Sequence, residues 1–355
     1  ENAGYQYRAK KWVDIFNNEN LNAEVVTLFE DKNDFEQQFK NDDVTLFFIK
    51  SIRKRFKQCL YARKFHAVVV RRELLMFNDY GNLFMDKFLL KIHQNVILDF
   101  DDDIAASKQQ PREIKSFYGK ILQENGNKFN DSLRLYKRFI VGSKYLKERV
   151  LQENKTISEH NILIIPTCVD YDTFAPKEYN SKNNEIVFGW IGGNHNLHYL
   201  KMLIEPLNKI FEEQKIKLVV SAGKIYTNDK AKFSIENKKW SLATEKDIIR
   251  SFDIGLMPIE DNSVGKGKCG FKLLQYMGLG VVSIATNVSI NSEIIEHGKN
   301  SFLVNNDNSN WYEILKFAIN QKTYFSKIGN LAKQTVKERY SFTSNKDKII
   351  KYLTI

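Results

Sequence analysis

Short apolar stretches alternate with amphipathic helical stretches along the chain, and this alternation constrains the fold more than any other feature. The apolar stretches predict buried strands in two series: residues 23–28, 44–49, 67–70, 96–100, 138–141 and 161–165, then 185–191, 216–222, 254–257, 280–285 and 301–304. Strands that alternate with helices form parallel sheets covered by helices on both faces. The sequence therefore predicts an α/β protein with two parallel sheets.

The two series of strands are separated by residues 166–184, which carry two of the five prolines and a polar run. This composition is typical of a hinge and linker. We therefore expect an N-terminal domain at residues 1–165, a linker at 166–184, a C-terminal domain at 185–326 and helices at 327–355. A break in the helical pattern near residues 340–344 would let the last helix cross back to the N-terminal domain.

The N-terminal domain starts in an unusual way, because a helical pattern follows directly after Glu1. An α/β domain commonly opens with a strand. We therefore expect that the first strand is missing here, or lies elsewhere in the full-length gene.

The composition excludes several classes of protein. With 355 residues and 43% hydrophobic residues, the chain can hold two cores, but no run approaches the ~20 apolar residues of a membrane span. The three cysteines are far apart and the six histidines occur singly, so neither a disulfide framework nor a zinc site is expected. This cysteine usage favours a cytoplasmic location.

The formal charge of +11 favours a polyanionic partner. Much of the excess lies within residues 50–72, and charge alone leaves nucleic acid, anionic lipid and phosphorylated ligands open. The sequence has no nucleic-acid-binding motif, so we expect no nucleic acid. Phe56, Leu60 and Tyr61 stand among these cations at helical spacing, which is typical of a helix on an anionic membrane surface. Alternatively, they pack in the core and the cations are solvated.

Four carboxylates lie at the end of the strand at 96–100 or directly after it, namely Asp99, Asp101, Asp102 and Asp103. Adjacent carboxylates raise one another's pKa unless a cation or a donor neutralises them. A magnesium ion, sugar hydroxyls and the N-terminus of a helix beginning near residue 104 are all possible partners. Arg72 and Glu73 follow the strand at 67–70, and ligands of such sheets bind beyond the carboxyl ends of strands.

The second half of the chain carries glycines between strands and helices. Gly192 and Gly193 follow the strand at 185–191, and residues 265–272 read GKGKCGFK. A glycine-rich, lysine-rich loop at a helix N-terminus suits a diphosphate, because it offers backbone donors, the helix dipole and positive charge. Gln275, one turn inside the helix, could bind a ribose. The Walker pattern is absent, which disfavours ATP hydrolysis by a P-loop.

Several segments resemble the GT-B-fold retaining glycosyltransferases of family 4, which consist of two Rossmann-like domains facing across a cleft. The resembling segments are residues 267–280, VVSIAT at 281–286, SEIIEHGKNSFLV at 292–304, DIGLMPIED at 253–261 and IIPTCVDYDTFAP at 164–176. In the first half, VVVRREL at 68–74 and ILDFDDDI at 97–104 resemble a subgroup with a DFDD motif. The resemblance covers most of the chain and is most specific in the second domain.

The resemblance implies transfer of a sugar from a nucleotide-diphosphate sugar to a glycan or lipid-linked acceptor in surface polysaccharide or glycoconjugate synthesis. It implies retention of configuration and no cofactor or divalent metal. A lipid-linked acceptor would place the enzyme at the inner face of the membrane. The alternatives are a catalytically impaired GT-B module that binds a nucleotide sugar or a partner protein, and a GT-B sugar-nucleotide epimerase.

The resemblance also implies site residues. The catalytic candidates are Asp101 and Lys272, the donor-binding candidates are Gly192, Gly193, Lys268, Gly270, Phe271, Lys272, Leu273, Gln275 and Glu293, and the acceptor-side candidates are Arg72, Glu73 and Asp102.

The sequence also departs from the family pattern. The family's two glutamates fall on Gly267 and Gln275, and its first-domain histidine falls on Asp101. Its Arg/Lys pair falls on Gly193 and about His198, so Lys268 and Lys272 would have to supply that charge.

Overall fold

The structure, a computed structural model, describes residues 3–29, 44–75, 83–104, 128–171, 174–179, 184–305 and 308–355. The chain divides into two compact units. The first comprises Glu1–Pro166 together with Lys346–Ile355, and the second comprises Thr167–Asn345.

The first unit is built around a four-stranded parallel sheet of order β1-β2-β3-β4. Its elements are α1 (Ala3–Tyr5), a π-helical segment (Gln6–Lys10), α2 (Lys11–Asn18), α3 (Val44–Ala62), β1 (Val68–Arg71), α4 (Phe84–Ile92), β2 (Val96–Phe100), α5 (Lys128–Leu135), β3 (Phe139–Val141), α6 (Lys144–Glu153), a 3-10 turn (Glu159–Asn161) and β4 (Ile162–Ile164). Ser143 caps α6 by accepting a hydrogen bond from the backbone N–H of Leu146 at 3.3 Å.

The core of the first unit lies on both faces of β2, whose five residues are all buried. Phe100 packs edge-on against Phe129 with ring centroids 5.0 Å apart. The C-terminal end of the chain belongs to the same unit: the Arg138 guanidinium lies 4.4 Å from the Tyr352 ring centroid, and the Phe139 N–H donates to the Tyr352 hydroxyl at 3.3 Å. The last helix is therefore anchored on β3.

The second unit contains a six-stranded parallel sheet of order β10-β9-β8-β5-β6-β7. Its elements are β5 (Ile186–Ile191), a 3-10 helix (Asn194–Leu203), α7 (Ile204–Glu213), β6 (Ile216–Ala222), β7 (Ser234–Lys239), α8 (Glu245–Arg250), β8 (Ile254–Met257), α9 (Ser263–Lys266), α10 (Phe271–Gly278), β9 (Val282–Thr286), α11 (Ile290–Ile294), β10 (Phe302–Val304), α12 (Asn308–Asn320), a 3-10 turn (Lys322–Tyr324), α13 (Phe325–Arg339) and α14 (Phe342–Thr354), whose last part lies in the first unit.

The strand order of the second unit creates a topological switch point. The chain passes from β5 to β6 and β7 on one side, and then returns to β8, which pairs with the other side of β5. In open parallel sheets, ligands bind outside the carboxyl ends of the strands at such a point. The ends of β5 and β8 are therefore where a ligand of this unit is expected.

Two strand predictions were wrong, and one strand was missed. Residues 44–49 begin the 19-residue helix α3, because a short apolar run suits either a buried strand or one side of a helix. Residues 23–28 form neither helix nor strand. The sequence missed β7, an edge strand whose side chains are exposed or half-buried, so that it has no apolar run.

The described part of the proposed linker packs on the second unit. The Lys177 N–H donates to the Leu279 carbonyl at 2.9 Å, and its ammonium lies 3.4 Å from a carboxylate oxygen of Asp253. The Tyr179 hydroxyl donates to the Gly280 carbonyl at 3.2 Å. Among the described residues, no helix is both long and apolar enough to cross a membrane.

Candidate functional site

At the switch point of the second unit, the side chain of Lys272 lies against Gly192. Gly192 directly follows β5, and Lys272 is the second residue of α10. The Lys272 ammonium lies 5.3 Å from the centroid of the buried Trp190 ring. A Cβ atom at Gly192 would be only 2.5 Å from Lys272 Cε, so glycine is required for this approach. Two sequence-predicted residues from separate segments thus meet at the carboxyl end of β5.

The glycine-rich loop places the N-terminus of α10 beside α11. Gly270 precedes α10 with φ +68, a left-handed conformation that favours glycine. A Cβ atom there would lie 2.9 Å from the Ile294 side chain. The half-buried Phe271 is the first residue of α10, so its backbone N–H belongs to the first turn of the helix, at the positive end of the helix dipole.

The lysines of this loop differ in environment. Lys266 is exposed and pairs with Asp261 at 3.3 Å, whereas Lys268 and Lys272 are half-buried. Leu273 is completely buried in the core, so its side chain has a packing role. Gly193, by contrast, is exposed and precedes the 3-10 helix. The positive charge nearest Gly192 therefore comes from Lys272.

Two buried amide side chains of the second unit lack hydrogen bonds at one atom. Gln275 is 2% exposed, and its Nε2 has no partner among the described residues. Asn291 donates through Nδ2 to the Thr286 carbonyl at 3.0 Å, but its Oδ1 lacks a described partner. An unsatisfied buried polar group costs about 1–3 kcal/mol. Both buried atoms therefore have an unused hydrogen-bonding capacity.

Glu293 is half-buried in α11. Its carbonyl accepts hydrogen bonds from Arg339 Nη2 at 2.9 Å and from the Tyr340 hydroxyl at 3.2 Å. These bonds fix its backbone against α13 and the residue after it.

In the first unit, the carboxylates after β2 are neutralised by arginines. Arg8 donates to both carboxylate oxygens of the buried Asp99, with the shortest distance 2.7 Å, and also to the Ile165 carbonyl at 2.7 Å. Arg71 bridges Asp99 at 3.3 Å and Asp101 at 3.2 Å. Guanidinium and carboxylate groups thus contact one another in turn at the carboxyl ends of β1 and β2.

Arg72 extends this network to the surface. Its Nη2 donates to Asp101 at 3.1 Å and to the partly exposed Asp102 at 3.0 Å. Burial by itself raises the pKa of Asp101, but the surrounding guanidinium groups, above all that of Arg71, hold its pKa well below the usual range of an aspartate. Asp101 is therefore an ionised, buried carboxylate. Arg72 has φ +62, a strained conformation for a residue other than glycine.

The remaining acidic residues of this edge also pair with cations. Glu73 pairs with the buried Lys128 at 3.2 Å, and Asp103 lies 3.4 Å from Arg149. Within the described ranges, no group of three or more His, Cys, Asp or Glu side chains is arranged to hold a metal ion. The helix expected to begin near residue 104 falls on residues 105–127, which lie outside the described part of the chain.

The structure thus brings together Gly192 with Lys272 in the second unit, and Arg72 with Asp101 and Asp102 in the first. Sequence reasoning missed Arg8 and Asn291. Arg8 stands 91 residues from Asp99, so no local pattern could have linked them. Asn291 lies in the segment SINSEII, whose resemblance drew attention only to Glu293.

Residues 185–320 match the model of the family Glycosyl transferases group 1. Among solved structures, the chain is similar to a glycosyltransferase from Rickettsia africae (TM-score 0.61, 14% identity, covering 96% of this chain and 86% of that chain). It is also similar to Anabaena HepE in complex with UDP-glucose (TM-score 0.61, 13% identity, 85% and 82%). A third neighbour is sucrose-phosphate synthase from Thermosynechococcus elongatus (TM-score 0.64, 11% identity, 88% and 79%).

No curated protein matches the chain in sequence. The structural neighbours share its mixed α/β architecture with two parallel sheets, so the predicted GT-B fold is confirmed. The matched family segment includes β5, the glycine-rich loop, α10 and α11.

Proposed function

We propose that this protein is a glycosyltransferase that moves a sugar from a nucleotide-diphosphate sugar to a glycan or lipid-linked acceptor. The observation that carries the proposal is the approach of Lys272 to Gly192 at the switch point of the second unit, inside the segment that matches the family model. It is supported by HepE, a structural neighbour solved with UDP-glucose.

The donor diphosphate would bind at the N-terminus of α10. Backbone N–H groups after Gly270, the helix dipole, and the ammonium groups of Lys268 and Lys272 would stabilise its negative charge. As the bond between the anomeric carbon and the phosphate oxygen breaks, the diphosphate takes the electron pair, and these groups stabilise the growing charge. Gln275 would bind the ribose through its unsatisfied Nε2.

The acceptor hydroxyl would attack the same face of the sugar, so that the anomeric configuration is retained. The bond from its oxygen to the anomeric carbon forms while its proton passes to the departing phosphate oxygen. No cofactor and no divalent metal enter this proposal, because lysines and backbone donors supply the charge stabilisation.

The acceptor side would use the arginine and aspartate network of the first unit. Asp101 is buried between arginines, so it orders the network, whereas Arg72 and Asp102 are partly exposed and remain accessible to sugar hydroxyls. Glu73 would contribute to this acceptor-side network through its ion pair with Lys128.

A membrane surface is the second partner that we propose. Ile49, Phe56 and Leu60 are 49%, 44% and 43% exposed on one side of α3, although Phe56 also stacks on Phe88. The exposed Arg53 and Lys57 lie between these residues in α3, and the exposed Arg63 directly follows the helix. None of the three makes an ion pair with a described residue. This combination supports contact with anionic lipid near the cytoplasmic face of a membrane. It would suit a lipid-linked acceptor in surface glycoconjugate synthesis.

The second candidate is a GT-B module that binds a nucleotide sugar or a partner protein without transferring the sugar. It is favoured by Gly267 and Gln275, which stand where the resembling family carries glutamates. The two candidates differ in turnover but share donor binding.

A donor panel distinguishes these candidates. The full chain would be incubated with UDP-, GDP- and ADP-sugars in the presence of EDTA, and nucleotide-diphosphate release would be followed with and without glycan or lipid-diphosphate acceptors. Release of one nucleotide diphosphate, lost in Lys272→Ala but kept in Lys266→Ala, supports the transferase. Binding without release supports the module, and failure of every donor to bind would refute both the transferase and a module that binds a nucleotide sugar.

A further inference from the structure

The central strands of the second sheet, β5 and β8, part before they reach its carboxyl edge. Among the described residues of these strands, pairing ends at Gly189 and Gly255, whereas both strands continue for two more residues. On its other edge β5 stays paired to its end, where Ile191 lies opposite Ser221 of β6. The crevice of the switch point therefore opens between β5 and β8.

Two aromatic rings cover the glycines at this parting. A Cβ atom at Gly189 would lie 1.9 Å from the Phe252 ring, and a Cβ atom at Gly255 would lie 2.6 Å from the Tyr276 ring. The two rings contact each other edge-on, with centroids 6.0 Å apart. Both are completely buried, and closely packed rings have little room to move. Phe252 therefore supports Tyr276 in a fixed position.

The hydroxyl of Tyr276 takes the place of a strand beside the end of β5. Backbone N–H groups point to the two edges of a strand in turn, and the Gly192 N–H donates toward β6, to the Ser221 carbonyl at 3.0 Å. The Ile191 N–H therefore points toward β8, where it donates to the Tyr276 hydroxyl at 3.0 Å. A side chain of α10 thus supplies the acceptor that a paired strand supplies elsewhere in the sheet.

This hydrogen bond lies one helical turn from the contact between Lys272 and Gly192. Tyr276 follows Lys272 by four residues in α10, so both side chains lie on the same side of the helix. The first holds Ile191, and the second crosses Gly192, which is the next residue of the chain. Burial raises the pKa of Tyr276, so its hydroxyl stays protonated. The end of β5 is therefore fixed to α10 at two consecutive residues.

We infer that Tyr276 is a positioning residue for the nucleotide diphosphate, because its hydroxyl holds Ile191 and thereby places Gly192 against the Lys272 side chain. The inference rests on the proposed donor site at the N-terminus of α10. Because Tyr276 is completely buried, it acts through these residues and not by contact with the donor. Tyr276→Phe keeps the ring on Gly255 but removes the acceptor of the Ile191 N–H, so the end of β5 must shift toward another acceptor.

The matched control is Tyr179→Phe. The Tyr179 hydroxyl also accepts from a strand N–H, that of Val282 at 2.8 Å, but Val282 begins β9 at the amino edge of the sheet. Calorimetry with UDP, GDP and ADP should show a dissociation constant raised about ten-fold in Tyr276→Phe, the lower limit for loss of a charge-assisted hydrogen bond. Tyr179→Phe should leave that constant unchanged, although both variants should lower the midpoint of urea unfolding.

A second measurement needs no nucleotide. The Lys272 ammonium lies 5.3 Å from the Trp190 ring centroid, so the ring current shifts the side-chain proton resonances of Lys272 in the free protein. These resonances should move toward ordinary lysine values in Tyr276→Phe and stay in place in Tyr179→Phe. Failure of the parent to bind any nucleotide diphosphate would refute the proposed donor site, whereas the resonances would still show whether Tyr276 places Lys272.

Two results would overturn the inference. The first is unchanged Lys272 resonances in a folded Tyr276→Phe variant. The second is an equal loss of nucleotide affinity in Tyr276→Phe and Tyr179→Phe, because lower stability alone would then account for the weaker binding. If Tyr276→Phe does not fold, Gly255→Ala keeps the hydroxyl but displaces the ring, since the added methyl group would lie 2.6 Å from it. Unchanged Lys272 resonances in Gly255→Ala would then refute the inference.

Discussion

Replacing Gly192 with alanine adds a methyl group that would lie 2.5 Å from Lys272 Cε and 2.6 Å from the Trp190 ring. Trp190 is 1% exposed and is held by the core, so it cannot move aside easily. The long side chain of Lys272 can. We therefore expect Gly192→Ala to displace Lys272 from the end of β5 and to weaken nucleotide-diphosphate binding.

The expected loss of nucleotide-diphosphate affinity is that of one charge-assisted hydrogen bond from Lys272. A charge-assisted hydrogen bond contributes about 1.5–3 kcal/mol, so its loss raises the dissociation constant about 10- to 150-fold. Crowding against Trp190 should also lower the free energy of unfolding by about 1–3 kcal/mol, as overpacking of a core does. Binding must therefore be measured well below the unfolding temperature of the variant.

A double-mutant cycle provides the assay. Calorimetry would compare the parent, Gly192→Ala, Lys272→Ala and the double variant, with Lys266→Ala as the control for loss of a nearby exposed lysine. If Gly192→Ala acts through Lys272, the double variant binds no more weakly than Lys272→Ala alone. Additive losses, or normal affinity in Gly192→Ala, would refute the reasoning.

Three further variants or conditions probe other parts of the molecule. Asp101→Asn should lower turnover far more than it lowers nucleotide affinity. Because the pKa of Asp101 is depressed in the folded protein, the stabilisation from its carboxylate is complete above about pH 3.9 and is lost as pH falls through the folded pKa. The free energy of unfolding of Asp101→Asn should therefore depend less steeply on pH below about pH 4 than that of the parent. Burial raises the pKa of Cys59 to about 11, so iodoacetamide at pH 8 should label the half-buried Cys269 first, and bound nucleotide diphosphate should slow that labelling; rapid labelling of Cys59 would contradict this order. The double variant Arg53→Ser with Lys57→Ser should abolish sedimentation with anionic vesicles while neutral vesicles bind neither protein, and absence of binding by the parent at low salt would end the membrane proposal.

The strands that could be predicted from the sequence are those buried on both faces. The strands at 96–100, 186–191 and 216–222 are predominantly apolar, interrupted by Asp99 in the first and by Lys217 and Ser221 in the last, because helices cover both sides of a parallel sheet. The same signal failed at residues 44–49, where nearly two turns of a helix carry a similarly apolar run. It also failed at β7, where Glu236 and the lysines around it leave no apolar run.

The two candidate sites also differ in how far they could be predicted from the sequence. Glycines and lysines within a few residues of one another marked the loop before α10, because a helix N-terminus is a local structure. The network in the first unit depends on Arg8 and on Arg71, which reach carboxylates 91 and 28 residues away. The sequence identified the aspartates, but only the fold identifies the cations that neutralise them.

Gln275 offers a test in which stability and binding should change in opposite directions. Its Nε2 is buried without a described partner, which destabilises the free protein by about 1–3 kcal/mol. Gln275→Met keeps a similar volume and removes the unsatisfied donor, so the free energy of unfolding should rise. Nucleotide affinity should fall, because the ribose hydroxyl loses its donor.

Gln214 provides the matched control, since its Nε2 also lacks a described partner but lies at the end of α7, next to the start of β6. Gln214→Met should stabilise the protein without changing nucleotide affinity, because ligands of this sheet bind at the carboxyl ends of the strands. Thermal unfolding and calorimetry on the two variants measure both quantities. If Gln275→Met neither stabilises the protein nor weakens nucleotide binding, Gln275 Nε2 does not bind the nucleotide, and Gln275 has no part in the donor site.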